Sequence, residues 1–340
     1  MMDTELVDRA QRLADDVLFP RALATDRADR LAAEVLDALA DGGFYGLLAP
    51  RELGGLAADP ATAFAVIERL ASGCLATTFT WLQHLGASVA VAASRAPVHD
   101  EFASALASGR CRAGVAFGHL RRPDPPQLTA TQCDDGWRLH GSAPWVSGWG
   151  LVDVVHVGAR TGSDVVWLLI DASESPTLQV ERLRLSAIDA SATVRADFAD
   201  HVVASDRVVA REALADWQAR DAIGLRPNGS LALGVAQRAA RLLDDHAALR
   251  AIADARTRLD QASPALLPEA RASASLLALQ LATTLTVNDG GRSVLVDSHA
   301  QRLLREAAFL LVQGQTAAIR GAQLAQLRAN RDSHEPVTDG

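Results

Sequence analysis

The 340 residues carry 33 basic and 41 acidic side chains, a net charge of −8, and are 49 % hydrophobic and 22 % charged. That balance suits a globular protein large enough for a sizeable core and excludes the basic face of a nucleic-acid binder. Every basic residue is an arginine, so a single arginine carries little functional weight.

The chain opens on an acidic, amphipathic stretch, MMDTELVDRAQRLADD, unlike the basic start and apolar run of a signal peptide. No segment approaches the roughly 18 apolar residues of a membrane span, so a cytoplasmic protein with no membrane partner is expected. Residues 1–110 read as a helical domain. Leu31, Val35, Leu36 and Leu39 recur at helical spacing and Gly42–Gly43 closes that helix. Further helices are expected over Thr62–Leu70 and, nearly all apolar and hence buried, Thr77–Val91. Residues 111–207 change character. Trp137–Leu139, Val152–Ala159 and Asp164–Ile170 are rich in β-branched residues and separated by Gly, Asp, Pro and Ser, which predicts a central antiparallel β domain, a barrel or sandwich. Residues 208–330 return to a helical pattern, with long helices over Leu231–Leu249, Leu267–Thr286 and Ser298–Arg328, a helical bundle. Residues 331–340 read as a disordered tail. The fold class is therefore α+β in three parts, helices, then strands, then helices.

Common site signatures are missing. No GxGxxG opens a helix, and neither a GxxxxGK[ST] loop nor a GxSxG elbow occurs. Cys74, Cys111 and Cys133 form no CxxC pair and the nine histidines form no HxxxH, so neither a disulfide framework nor a bound metal is expected.

Three patterns stand out: GGFYGLLAPRELGG (Gly42–Gly55), GWRLHGSAPWVSGWGLVDVVHVGAR (Gly136–Arg160) and GGRSVLVDSHAQRLLREAAFLLVQGQTAAIR (Gly290–Arg320). Each has a bland reading as a helix–turn connection, a hairpin and a capped helix break. Together and in this order they resemble the acyl-CoA dehydrogenase superfamily over roughly residues 30–325. In the hairpin Trp145 and Ser147 alternate along a strand and are expected to face the same way. The resemblance implies FAD, with the Trp145–Val146–Ser147 segment at the cofactor, the indole against the ring and the hydroxyl near N5. It places the glycine pair Gly290–Gly291 close to the flavin of a neighbouring subunit, where glycine permits close backbone approach. It also implies an acyl-CoA or other acyl thioester as substrate and a homodimer or tetramer.

The chain departs from that family at its chemistry. Removal of an α-proton from a thioester needs a carboxylate, yet the ungapped match puts Gly314 at the usual base position and a one-residue slip puts Gln313 there; neither is basic. Asp221 is the single carboxylate near the alternative position. The family's phosphate loop is replaced by VAFGHLRRPDPPQL (Val115–Leu128), where Arg121 and Arg122 are the residues suited to an anion, and roughly one long helix is missing between Gln237 and Gly290. Three readings follow: an acyl-CoA dehydrogenase-like oxidoreductase with its base unidentified; a non-catalytic partner subunit beside a base-containing homologue; and a flavin-dependent monooxygenase of the same fold, in which Ser147 with His84 or His119 would act. A lone histidine on an apolar helix is more often a satisfied core residue.

Overall fold

A computed structural model describes residues 2–122 and 124–332. The chain forms two compact units, Met1–Arg220 and Asp221–Gly340. The first begins with six helices, α1 (Thr4–Leu13), α2 (Phe19–Arg27), α3 (Ala33–Asp41), α4 (Pro60–Gly73), α5 (Leu75–Ala93) and α6 (Val98–Ser108). Caps fix their ends. The Asp3 carboxylate accepts from Leu6 N–H, Asp59 does the same for Thr62 with Pro60 at the first helical position, and Gly109 ends α6 at φ +72°.

Eight strands follow: β1 (Ala113–Ala116), β2 (Leu128–Cys133), β3 (Gly136–Val146), β4 (Val154–Thr161), β5 (Asp164–Asp171), β6 (Leu178–Arg182), β7 (Val194–Ala204) and β8 (Val208–Ala213). They make one sheet in the order β6-β7-β3-β2-β4-β5-β8, with β1 beside β4. The expected antiparallel pattern holds for most pairs, but β1 and β2 both run parallel to β4, so the sheet is mixed. The reason is visible in β4 and β5: VVHVGA and VVWLLI are apolar without alternation, as strands covered on both faces must be. Val155, Val157 and Ala159 face one cluster with Leu139, Val146 and Phe198. Val154 turns the other way, with Trp167 and Leu169 of β5, toward residues of α5 and α6 such as Ala87 and Leu106.

The remaining helices are α7 (Leu214–Ile223), α8 (Arg226–Leu242), α9 (His246–Gln261), α10 (Leu267–Asp289), α11 (His299–Val312) and α12 (Ala317–Asp332). Two long helices expected here are broken. The Leu231–Leu249 run stops after Leu242, because the Asp245 side chain accepts from Ala248 N–H at 2.9 Å and starts α9 instead; local capping outweighs apolar periodicity. The Ser298–Arg328 run breaks at Gly314, whose φ is +59°. The expected disordered tail began at 331, but α12 runs through Asp332; residues 333–340 lie outside the described residues.

Candidate functional site

The end of β3 is where the first unit departs from regular geometry. Ala143 pairs with Ala196 and Val146 with Val194, so three steps on β3 oppose two on β7 and Pro144–Trp145 forms a bulge. Proline supplies no N–H to the ladder, which suits it to that position. Trp145 takes φ +65°, a left-handed conformation that a bulky residue adopts only under constraint. The residue is 62 % exposed, while Val146 beside it is 1 % exposed. Trp145 and Ser147 therefore do not share a face as i and i+2 of a regular strand: the bulge turns the indole outward, and Ser147, past the strand end, is 5 % exposed.

A second strained segment holds this one. Ile188 and Ala192, both non-glycine, sit at φ +53° and +50° on either side of a short 3-10 turn, Asp189–Ser191. Gly148 N–H donates to Ser191 O at 2.7 Å and Trp149 N–H to Ala192 O at 3.2 Å. The turn is fixed in its own right, since Asp189 accepts from Leu185 N–H and its carbonyl from Arg182. Between the two segments lie three buried hydroxyls in a row: Ser147 Oγ is 2.8 Å from Thr193 Oγ1, which is 2.8 Å from Ser191 Oγ. Sequence reasoning missed Thr193 and Ser191. The available signal was two hydroxyl residues spaced by two, directly before the strand that pairs with β3.

The histidines proposed as partners of Ser147 have other duties. His84 on α5 accepts from Ala113 N–H through Nδ1 at 3.0 Å, so its Nε2–H donates to Leu106 O at 3.1 Å. Both ring nitrogens are engaged, and burial pushes the pKa down to about 4, so the ring is neutral. It ties α5 to α6 and β1, and the cavity it lines with Tyr45, Thr80 and Trp81 has only about 10 Å³, room for roughly one water. His119 donates from Nε2 to Gly158 O at 2.8 Å and is likewise held near 4 by burial. Neither ring is bonded to Ser147, whose hydroxyl partner is Thr193. Arg121 lies over the Phe117 ring at 5.5 Å and Arg122 is exposed; Pro123 beside them lies outside the described residues.

In the second unit, Gly290 ends α10 with φ +59° and ψ −138°, and neither it nor Gly291 has an atom within 4 Å of where a Cβ would stand. Val287 and Val294 flank the pair at 75 % and 76 % exposure. Gly314 terminates α11, and Gln313 before it donates from Nε2 to Asn228 at 3.4 Å. Asp221 is not near the start of a helix but in the last turn of α7, half-buried. Glu306 is 3 % exposed and accepts from Arg302 at 2.6 Å.

Residues 3–110 match the family model "Acyl-CoA dehydrogenase, N-terminal domain". A 3-sulfinopropanoyl-CoA desulfinase of Paraburkholderia xenovorans is 24 % identical over 214 residues, 60 % of this chain and 55 % of that protein; the match thus spans about half the length of that curated relative. The oxygenase subunit HsaA of a flavin-dependent monooxygenase from Mycobacterium tuberculosis is 47 % identical over 68 residues, 19 % of this chain and 17 % of its own. Among solved structures, a glutaryl-CoA dehydrogenase from Mycobacterium smegmatis in complex with FADH2 superposes with a TM-score of 0.79 at 14 % identity, covering 96 % of this chain and 94 % of that one.

Proposed function

We propose that this chain, whose residues 3–110 match the acyl-CoA dehydrogenase N-terminal domain and whose fold is that of the acyl-CoA dehydrogenases, is a flavoprotein oxidoreductase of that kind. The cofactor is FAD and the substrate an acyl thioester oxidised at a CH–CH bond. The observation that carries the reading is the bulge at the end of β3: a tryptophan held at φ +65° and 62 % exposed, followed by a buried serine hydroxyl. Exposing a large aromatic on a strained backbone is unfavourable for an isolated fold and is the mark of a binding surface. The indole offers a flat apolar face to a ring system and Ser147 a hydrogen bond at its edge. FAD, when bound, supplies the hydride acceptor; the chain's residues orient it and exclude water. Gly290 and Gly291 offer open backbone for close approach by a neighbouring subunit's cofactor in a homodimer or tetramer.

No base is assigned. The family position falls on Gln313 or Gly314, an amide and a residue with no side chain, and Glu306 is committed to Arg302. That pattern favours a second reading, a subunit that works beside a homologue bearing the carboxylate. The local match to HsaA supports oxygenation as a third, although His84, with both nitrogens engaged, is no catalyst for it.

The test is titration of the purified protein with FAD, followed by its visible absorption, and then anaerobic addition of acyl-CoA. Saturable binding followed by bleaching is expected for the first reading. Binding without bleaching, with bleaching restored by a base-containing homologue, selects the second. Oxygen uptake dependent on supplied reduced flavin selects the third. A protein that binds no FAD at saturating concentration, alone or beside a base-containing homologue, and takes up no oxygen with reduced flavin refutes all of them.

A further inference from the structure

We infer that Arg182 is a positioning residue for the Trp145 bulge, latching the strained turn that holds the bulge to the loop between α2 and α3. The turn needs outside support, since Ile188 and Ala192 are both left-handed and such residues persist only where their surroundings fix them. One guanidinium supplies much of that support. Arg182, half-buried, donates from Nη2 to Asp189 O in the turn and to Asp29 O in the α2–α3 loop, each at 2.7 Å. Two residues along the loop, Leu31 N–H donates to Ala190 O at 2.9 Å. Arg184 adds an outer bridge, 2.7 Å from Asp29 Oδ1 and 3.2 Å from Asp189 Oδ2. Arg184 and Asp29 are both exposed, and exposed pairs contribute little. The turn is thus gripped by residues 29–31 and itself accepts from Gly148 and Trp149 N–H. Trp145, 62 % exposed, is held chiefly through its backbone, by the Val146–Val194 pair and by these two bonds just beyond it.

The consequence rests on the flavin reading above. A ring that binds against the indole selects the bulge in one geometry, and that geometry is set through the turn by the latch. Such coupling is reciprocal. A latch that holds the bulge ready for the ring must itself be tightened when the ring binds. The α2–α3 loop therefore responds to the cofactor through the turn, and Arg182 acts on the ring only through the turn it grips.

The experiment titrates FAD into the wild type, Arg182→Met and Arg182→Lys, and follows amide hydrogen exchange of each with and without FAD. Methionine keeps an unbranched apolar stem and removes the donors; lysine keeps a charged donor for the two carbonyls. Arg182→Met should weaken FAD binding about three- to tenfold. It should also speed exchange at Gly148 and Trp149 by more than in the buried β4–β5 ladder. Arg182→Lys should recover most of the affinity. In the wild type, FAD should slow exchange at Leu31, an effect that a merely structural arginine does not produce. Wild-type FAD affinity in Arg182→Met overturns the latch and leaves the flavin reading intact, as does Leu31 exchange that bound FAD does not change. Exchange sped evenly through the first unit, the mark of a general loss of stability, overturns it too. If Arg182→Met does not fold, Leu31 exchange in the wild type decides. If the wild type binds no FAD, the proposed function falls and the apoproteins decide the latch: exchange at Gly148 and Trp149 that is no faster in Arg182→Met, relative to the β4–β5 ladder, overturns it.

Discussion

The two compact units bury polarity in different ways. Among the described residues of Met1–Arg220, Glu68 is the one buried polar side chain with an acidic or basic group other than the histidines; the rest are hydroxyls and His84, His119 and His156. The second unit buries Arg226, Arg238, Arg271, Arg302 and Glu306. The contrast extends to the backbone. Of the six non-glycine residues with positive φ among those described, five (Ala57, Trp145, Ile188, Ala192 and Asp200) lie in the first unit and Asp244 in the second. The first unit holds the bulge at Trp145 through backbone hydrogen bonds from Gly148 and Trp149, while the strained turn that accepts them is itself fixed by Asp189 and Arg182. The second buries charges, with Arg302 beside Glu306 and Arg226 beside Asp260, and its helix breaks at Gly290 and Gly314 use glycine, which takes positive φ without strain.

The largest expected effect breaks the charged interior. Arg302 and Glu306 sit one helical turn apart, 1 % and 3 % exposed and 2.6 Å from each other. Glu306→Ala leaves a buried guanidinium without its carboxylate, which costs about 3–5 kcal/mol. The double variant Arg302→Met, Glu306→Leu is expected to recover most of it, since a pair of apolar side chains replaces a desolvated ion pair at little cost. Denaturant unfolding checks both; a double variant no more stable than Glu306→Ala contradicts the pair's role.

Next in size is the acid response of the first unit. Burial holds His84, His119 and His156 near 4, against an unfolded value of 6.5. The unfolded chain then binds more protons between those values, so stability rises with pH in that window. It is fully present above about 6.5 and lost as pH falls through 4, by up to roughly 3 kcal/mol per histidine. His156 tests this cleanly, because its ring stacks on Trp167 at 4.9 Å and its buried Nε2 has no partner. His156→Phe should leave stability at neutral pH nearly unchanged and flatten the slope of unfolding free energy against pH. An unaltered slope rules out a buried neutral His156.

How much of this was legible in the sequence depends on range. The succession of helices, strands and helices was legible because apolar spacing switches from three-and-four to β-rich runs and back. Trp145 and Ser147 stood out by residue type. Their geometry did not, because simple alternation put them on one face and the significance of Pro144, which supports a bulge, went unread. Thr193 and Ser191 lie 46 and 44 residues beyond Ser147, and nothing local marks a hydrogen bond across that distance. The helix breaks at Asp244 and Gly314 were hidden by unbroken apolar periodicity on both sides.

The third prediction sharpens the strained half of the comparison. Trp145→Gly relieves the left-handed strain, about 1 kcal/mol or more, and adds back some chain entropy of unfolding, so the apoprotein should be no less stable than the wild type. FAD affinity should fall tenfold or more, about 1.4 kcal/mol, as the indole is lost. A variant that is markedly less stable would mean that Trp145 is held for packing and not for a ligand.

The smallest effect is expected on the glycine side. Gly290 has φ +59°, ψ −138° and open space where a Cβ would stand, so Gly290→Ala meets no clash and its penalty is the backbone alone, about 1 kcal/mol or more in a region open chiefly to glycine. The two substitutions run in opposite directions, one removing a strained non-glycine residue and one creating it. If Gly290 is there only to end α10, the alanine variant should lose that small stability and keep its FAD affinity. If open backbone at this pair admits a neighbouring subunit's cofactor, affinity should fall by more than stability does, and the fall should depend on protein concentration as the oligomer forms.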